Sequence, residues 1–123
     1  MTFDDIASYA TAPYRPILVD LRRRIHDLGP ELQHCEGYTG KQRIRYALPN
    51  DIIFLEIKVQ REAIVLHMIN AGLPDPDGIT TPIPESYGWR QLELRIRLSS
   101  SDQVEAAMGF IKAAYQLRLA RSE

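Results

Sequence analysis

The sequence predicts an α+β fold in which a mainly antiparallel, four-stranded sheet carries helices packed chiefly on one face. Apolar residues recur at helical spacing near both ends of the chain and alternate with polar residues in its middle. The connections between the alternating segments are mostly short, which favours antiparallel pairing. The predicted order is α-α-β-β-β-long loop-β-α. A chain of 123 residues has the size of one domain, so we expect residues 1–123 to form a single unit.

Two helices are expected before the first strand. Thr2 and Asp5 have the spacing of a capping box, which favours a short helix from about residue 3 to residue 10. A second helix, from about residue 14 to residue 28, should end at Gly29-Pro30. Its apolar stripe consists of Ile17, Leu18, Leu21, Ile25 and Leu28.

Four strands and a closing helix follow. The strands are predicted at about 43–48, 53–59, 63–70 and 92–98, with alternate apolar residues directed to the core. The third is apolar on both faces, which is typical of a strand that is covered on both sides. Asp102 and Glu105 favour the start of a helix that runs to about Leu119.

The segment between the third and fourth strands is unusually long. Residues 71–91 contain four prolines and three glycines. A connection of this length within a compact domain is uncommon and is usually functional or mobile. The turn Asp75-Pro76-Asp77-Gly78 resembles the start of a calcium loop, but it lacks the closing glutamate, so a plain turn is the simpler interpretation.

Composition excludes several classes of function. Cys35 is the only cysteine, so neither an intramolecular disulfide nor a multi-thiolate zinc site is expected. No apolar run is long enough to cross a membrane, and the N-terminus lacks the features of a secretory signal. We therefore expect a cytoplasmic protein. The sequence shows no catalytic, metal-binding or cofactor-binding motif, and a reactive role for Cys35 would need a distant histidine.

The order of these motifs resembles an uncharacterised bacterial family. The resemblance covers about residues 15–117 and includes the Gly29-Pro30 helix stop, the strand around Ile44-Arg45-Tyr46, the Asp75-Pro76-x-Gly78 turn and an aromatic-glycine pair before the last strand. The family is a domain of unknown function. Some of its members are called "predicted transport protein", and in larger members the domain tends to follow a nuclease-like module. The resemblance therefore implies a nucleic-acid setting.

Counting with a period of two predicts a basic outer face of the sheet. Five fixed cations and one histidine fall on this face beside Glu56 and Glu93, although the net charge of the chain is −1. The predicted binding residues are Arg43, Arg45, Lys58, His67, Arg95 and Arg97. Phe54 is the only aromatic residue placed there for base stacking. Such a face can follow a phosphate backbone. Alternatively, it is a solvated surface with cross-strand ion pairs.

Two further functions remain open at this stage. In the first, the sheet face or the long loop forms a homodimer or protein-binding interface, and an exposed apolar patch at Val65 and Ile69 would support this adaptor role. In the second, the domain is a small-molecule enzyme with a pocket under the 71–91 loop and His67 as its base. The residues that would line this pocket are Tyr87, Trp89 and Arg90. The preferred hypothesis is a non-enzymatic binding module for an anionic partner, nucleic acid first.

Overall fold

A computed structural model describes residues 2–40, 42–49, 52–83 and 92–122. These residues form an α+β fold with a six-stranded, wholly antiparallel sheet. The helices are α1 (Phe3–Ala7), α2 (Arg15–His26), α3 (Leu32–Cys35) and α4 (Asp102–Ser122). The strands are β1 (Glu36–Thr39), β2 (Arg43–Leu48), β3 (Ile52–Gln60), β4 (Ala63–Met68), β5 (Thr80–Pro82) and β6 (Leu94–Leu98). The predicted fold class is therefore confirmed.

The prediction of four strands was wrong, because two edge strands carry little sequence signal. The order across the sheet is β1-β2-β3-β4-β6-β5, so the unpredicted strands β1 and β5 lie at its two edges. β1 has the sequence Glu-Gly-Tyr-Thr, without apolar alternation, and β5 consists of Thr-Thr-Pro inside the proline-rich connection. Short strands and proline are both typical of sheet edges. The long connection thus contains a strand that pairs with β6.

The first two helices form where the sequence predicts them, whereas the short helix α3 before β1 was not predicted. The backbone N–H of Asp5 donates to Thr2 Oγ1 at 3.3 Å, and the N–H of Thr2 donates to Asp5 Oδ2 at 2.8 Å, which completes the predicted capping box. α1 is shorter than predicted and ends at Ala7. On α2, the stripe residues Ile17, Leu18, Leu21 and Ile25 are all buried.

The helices cover one face of the sheet and leave the other to a layer of polar side chains. α4 packs on β3 and β6, and α2 packs against α4. The core between the layers is formed by alternate strand residues such as Ile44, Ile57 and Leu66, each fully buried. The side chains at the intervening positions of each strand lie on the opposite face of the sheet, hereafter the outer face. Most of these side chains are polar.

A β-bulge in β3 moves an aromatic residue into the core. Tyr46 pairs with Leu55, but the next residue, Ala47, pairs with Ile53, so Phe54 is the extra residue of the bulge. The Phe54 side chain is fully buried, and its ring centroid lies 5.3 Å from that of Tyr115 on α4. The predicted position of Phe54 on the outer face is therefore wrong, because the bulge interrupts the period of two on which that prediction depended.

Candidate functional site

The strand register places three of the predicted cations in one line across the outer face. Arg43 on β2 is directly opposite Lys58 on β3, Lys58 is opposite Val65 on β4, and Val65 is opposite Arg97 on β6. Directly opposed residues of an antiparallel sheet direct their side chains to the same face. We call Arg43, Lys58, Val65 and Arg97 the basic row. It contains three fixed positive charges and no carboxylate.

A second line of side chains runs parallel to the basic row, two residues further along each strand. Arg45 is opposite Glu56, Glu56 is opposite His67, and His67 is opposite Arg95. We call these four residues the mixed row, because it combines two fixed cations with one carboxylate and a histidine. The period-two prediction of which basic residues share this face is thus consistent with the register.

A shallow trough of about 550 Å³ runs along β4 on the outer face of the sheet. Four cations surround it: Arg43 and Lys58 on one side, Arg95 and Arg97 on the other. Among the described residues that line it there is no carboxylate. Its volume lies within the range of ligand-binding clefts in proteins. The trough therefore concentrates positive potential in a concave surface on a chain whose net charge is −1.

The floor of the trough is formed by two buried side chains of β4. Val65 and His67 are only 6% and 2% exposed, although none of the helices in the described residues packs on this face. The aliphatic stems of long basic side chains commonly cover apolar surface in this way while their charged ends remain in water. Burial, together with the nearby charges of Arg95, Arg43 and Lys58, lowers the pKa of His67 to about 4. His67 is therefore neutral at physiological pH.

Two polar contacts hold cations of the basic row in place. Nη1 of Arg97 donates to Oε1 of Gln60 on β3 at 3.3 Å, so the guanidinium reaches back across β4 above the trough. Nη1 of Arg43 lies 3.6 Å from Oε1 of Glu56, which is the neighbouring residue of the mixed row. Gln60 and Thr81 also line the trough and were not predicted. Counting with a period of two from Lys58 would have placed Gln60 on the outer face. Thr81 could not be found in this way, because it lies on the unpredicted strand β5.

Other predicted site residues lie outside the trough. Arg45 is on the outer face, but its side chain lies beside Gly37 of the edge strand β1. A Cβ atom added at Gly37 would be 3.8 Å from Cγ and Nε of Arg45. Arg45 does not line the trough. Tyr87, Trp89 and Arg90 lie outside the described residues, so the predicted pocket beneath the 71–91 loop does as well.

The apolar patch that would have supported an adaptor role is not exposed. Val65 forms the floor of the trough, and Ile69 is only 2% exposed. The large apolar side chains that are exposed in the described part of the chain are Tyr9, Val19 and Leu73, which belong to different segments.

A buried polar cluster joins α2 to the edge strand β1, and the sequence did not predict it. Glu36 has a side chain that is 4% exposed and accepts two hydrogen bonds from Arg22, at 2.8 and 3.0 Å. The hydroxyls of Tyr38 and Tyr46 also donate to this carboxylate, and Nε2 of His26 lies 3.0 Å from Oε2. Arg22 in turn stacks on the ring of Phe3 at 4.1 Å.

The hydrogen bonds to Glu36 stabilise its charged form. Burial alone would raise the pKa of Glu36, but hydrogen bonds from Arg22, Tyr38 and Tyr46 outweigh it and lower this pKa to about 2. Burial, together with the hydrogen bond that its hydroxyl donates to Glu36, raises the pKa of Tyr38 to about 12. A carboxylate offers about four lone-pair positions, and the neighbouring side chains fill them. The cluster is therefore suited to fixing β1 against α2 rather than to binding a ligand.

Two remaining polar features serve the local structure. A cavity of about 370 Å³ beside α1 contains Arg15, whose guanidinium donates to the carbonyl oxygens of Ala10 and Ser8. The carboxylate of Asp75 accepts hydrogen bonds from the N–H of Ile79 and from both the N–H and the hydroxyl of Thr80. These contacts, with Gly78 at a φ of 66°, support the interpretation of this segment as a turn.

Comparisons with known proteins leave the trough as the principal guide to function. No family model matches the chain, and no curated protein or solved structure matches it significantly. Within the described residues, no helix combines the length and apolar character needed to span a bilayer.

Proposed function

We propose that this chain is a non-enzymatic binding module for an anionic partner, nucleic acid first, and that the trough of the outer face is its contact surface. The observation that carries the proposal is the arrangement of Arg43, Lys58, Arg95 and Arg97 around one concave surface. Three strands supply these cations, and the sheet fixes the spacing of their backbone positions. Clustered cations attract phosphate groups, and much of the affinity for nucleic acid comes from such contacts.

The features of the trough favour contacts with phosphate over contacts with bases. Since Phe54 is in the core, the described part of the outer face offers no phenyl, phenol or indole ring for base stacking. Binding should then depend strongly on salt and weakly on base sequence. The preference for nucleic acid over other polyanions rests on the predicted resemblance to a family in which the domain tends to follow a nuclease-like module, a resemblance that no family model confirms.

The experiment that tests the proposal is a fluorescence anisotropy titration with labelled single-stranded and double-stranded DNA and RNA. Each titration is performed at low salt and repeated at moderate salt. We expect saturable binding that weakens steeply as salt rises. Absence of binding to every probe at low salt would contradict the proposal.

A matched pair of double variants separates local contacts from net charge. Lys58→Gln with Arg97→Gln removes two cations from the trough. Lys112→Gln with Arg121→Gln removes the same two residue types from α4, where both side chains are exposed. We expect the first variant to lose most of its affinity and the second to retain it. Equal losses would show that binding follows net charge rather than the trough.

A further inference from the structure

The floor of the trough is small, and basic side chains stand on both sides of it. The floor consists of Val65 and His67 of β4, which are about 7 Å apart along the strand. β3 and β6 pair with β4 on its two sides, so these two strands are about 10 Å apart. The walls carry Lys58 on β3 and both Arg95 and Arg97 on β6. The trough therefore has the size of one or two phosphate groups rather than of an extended chain.

Two contacts with β3 bring guanidinium groups of other strands toward this floor. Nη1 of Arg97 is 3.3 Å from Oε1 of Gln60, so this guanidinium crosses β4 at one end of the floor. Nη1 of Arg43 is 3.6 Å from Oε1 of Glu56, which pairs with the floor residue His67. Arg43 thus extends from β2 toward β3. The positive charges are gathered around the floor and do not follow the line of strand positions from which their side chains start.

Charges from both sides of β4 act on one buried group. The pKa of His67 is lowered first by burial and then by Arg95, Arg43 and Lys58. Arg95 lies on β6, whereas Arg43 and Lys58 lie on β2 and β3, so cations on opposite sides of the trough are close enough to affect the same imidazole. A compact anion with more than one negative charge would offset several of them at once.

The uncharged polar side chains of the trough add hydrogen-bond donors. Gln60 accepts a hydrogen bond from Arg97 through Oε1, and its amide nitrogen has hydrogens to donate. Thr81 pairs with Arg95, and its hydroxyl can donate as well. Lysine and arginine side chains have donors only, and none of the described lining residues is a carboxylate. This set suits a ligand group whose oxygens only accept, such as an ionised phosphate.

A terminal phosphate fits these features better than a phosphate within a backbone. A backbone phosphate carries one negative charge, whereas a terminal phosphate carries about −1.5 to −2 at pH 7 and has three acceptor oxygens. A backbone phosphate also needs space for the chain on both of its sides, but the contact between Arg97 and Gln60 lies across one end of the floor. A strand that ends in the trough meets no such obstacle.

We infer that the trough binds a terminal phosphate group, the phosphomonoester at the end of a nucleic-acid strand or of a free nucleotide. This inference rests on the proposed function and adds the form of phosphate that the trough recognises. The four cations offset the charge of the phosphate, and Gln60 and Thr81 donate to its oxygens. The apolar surface of Val65 lies beneath the attached sugar.

Oligothymidylates that differ only at their ends test the inference. Each carries fluorescein on an internal base, and its 5′ end, its 3′ end or neither end is phosphorylated. Anisotropy titrations at matched salt give the dissociation constants. We expect a phosphate at one of the two ends to tighten binding by at least about 10-fold, because the unphosphorylated strand lacks the charge-assisted hydrogen bonds to the dianion.

The matched double variants show whether this gain arises in the trough. It should disappear in Lys58→Gln with Arg97→Gln and remain in Lys112→Gln with Arg121→Gln. Where the first variant binds too weakly to be measured, the single substitutions at positions 58 and 97 give the gain, and each should reduce it. Thermal denaturation confirms that every variant is folded.

Each alternative result has a definite meaning. Equal affinities of the phosphorylated and unphosphorylated strands would show that the protein binds backbone phosphates, so the inference fails while the proposed function stands. A full gain in Lys58→Gln with Arg97→Gln would place the terminal phosphate outside the trough and also overturn the inference. If no strand binds at low salt, the proposed function fails and the inference with it.

A competitor distinguishes the two sources of a terminal phosphate. Thymidine monophosphate, with its phosphate at the position that gives the gain, is added to the complex of the phosphorylated strand. Displacement at concentrations similar to those of the strand would assign the trough to free nucleotides. Displacement only at far higher concentrations would assign it to strand ends. Both results support recognition of the terminal phosphate.

Discussion

Glu36 and Arg22 form a two-pronged ion pair that links the edge strand β1 to helix α2. The guanidinium donates from Nη2 to Oε1 at 2.8 Å and from Nε to Oε2 at 3.0 Å. The carboxylate is almost completely buried, whereas about one third of the Arg22 side chain is exposed to solvent. The pair is therefore sensitive to the loss of either partner, because a buried charge without its partner is costly.

The substitution Glu36→Gln should lower the free energy of unfolding by about 2–4 kcal/mol. It keeps the shape of the side chain but removes the charge that Arg22, Tyr38 and Tyr46 surround. The value lies toward the lower part of the range for buried pairs because Arg22 is partly solvated. Urea denaturation measures it. Asp27→Asn is the control, since Asp27 is exposed and its contact with Arg23 at 3.6 Å should contribute less than about 0.5 kcal/mol. Equal effects of the two substitutions would show that the cluster does not stabilise the fold.

Acid should destabilise the protein through the same carboxylate. The pKa of Glu36 is lowered from an ordinary value of 4.5 to about 2 in the folded protein. The unfolded chain therefore binds more protons between these values, so the stabilisation from Glu36 is complete above about pH 4.5 and is lost as pH falls toward 2. Urea denaturation at intervals between pH 5 and pH 2 measures the loss. The Glu36→Gln variant should lose less stability over this window, and an unchanged pH dependence in that variant would contradict the assignment.

His67 provides a second pH-dependent contribution, in a higher window. Its pKa is lowered from 6.5 to about 4, first by burial and then by Arg95, Arg43 and Lys58. Because the folded state resists protonation, the stabilisation from neutral His67 is complete above about pH 6.5 and is lost as pH falls through 4. An NMR titration of the imidazole signals measures the pKa directly. His26 and His34 supply the comparison signals, assigned by His→Gln variants.

A bound polyanion should raise the pKa of His67. Phosphates in the trough would offset the positive charges of Arg95, Arg43 and Lys58, which contribute to the lowered value. The same NMR titration with saturating oligothymidylate should show the imidazole protonating at higher pH than in the free protein. A pKa that does not change at saturation would place the ligand away from the trough.

The sequence predicts the fold class and the helical faces because these depend on repeated apolar positions. Ile17, Leu18, Leu21 and Ile25 are buried as their spacing indicates. Edge strands cannot be predicted from apolar spacing in this way, because β1 has four residues and β5 three, and their positions depend on pairing with β2 and β6. Phe54 shows a second reason why prediction from alternation fails. One bulge residue reverses the side to which a side chain points, and nothing in the local sequence marks the bulge.

The candidate site was likewise predictable only in part. The side chains that share the outer face could be counted from the alternation in each strand, but their alignment could not, because it depends on the register between strands. Only the register shows that Lys58 and Arg97 lie on opposite sides of Val65. The cluster around Glu36 is brought together from α2, β1 and β2, and its residues form no motif along the chain.

Glu56 should weaken binding to the trough, so that Glu56→Gln tightens it. Its carboxylate pairs with Arg43 at 3.6 Å and lies at the centre of the mixed row. A negative charge about 7 Å from a bound phosphate opposes binding by roughly 1 kcal/mol, which corresponds to about a 3- to 10-fold gain in affinity when it is removed. Anisotropy titrations at low salt measure the gain, and Glu62→Gln, at an exposed position of the turn between β3 and β4, is the control.

Because Glu56→Gln also releases Arg43 from its ion pair, the gain should shrink in the Arg43→Gln background. A gain of the same size in that background would show that Glu56 acts by its charge alone, and weaker binding by Glu56→Gln would mean that the ion pair is needed to position Arg43.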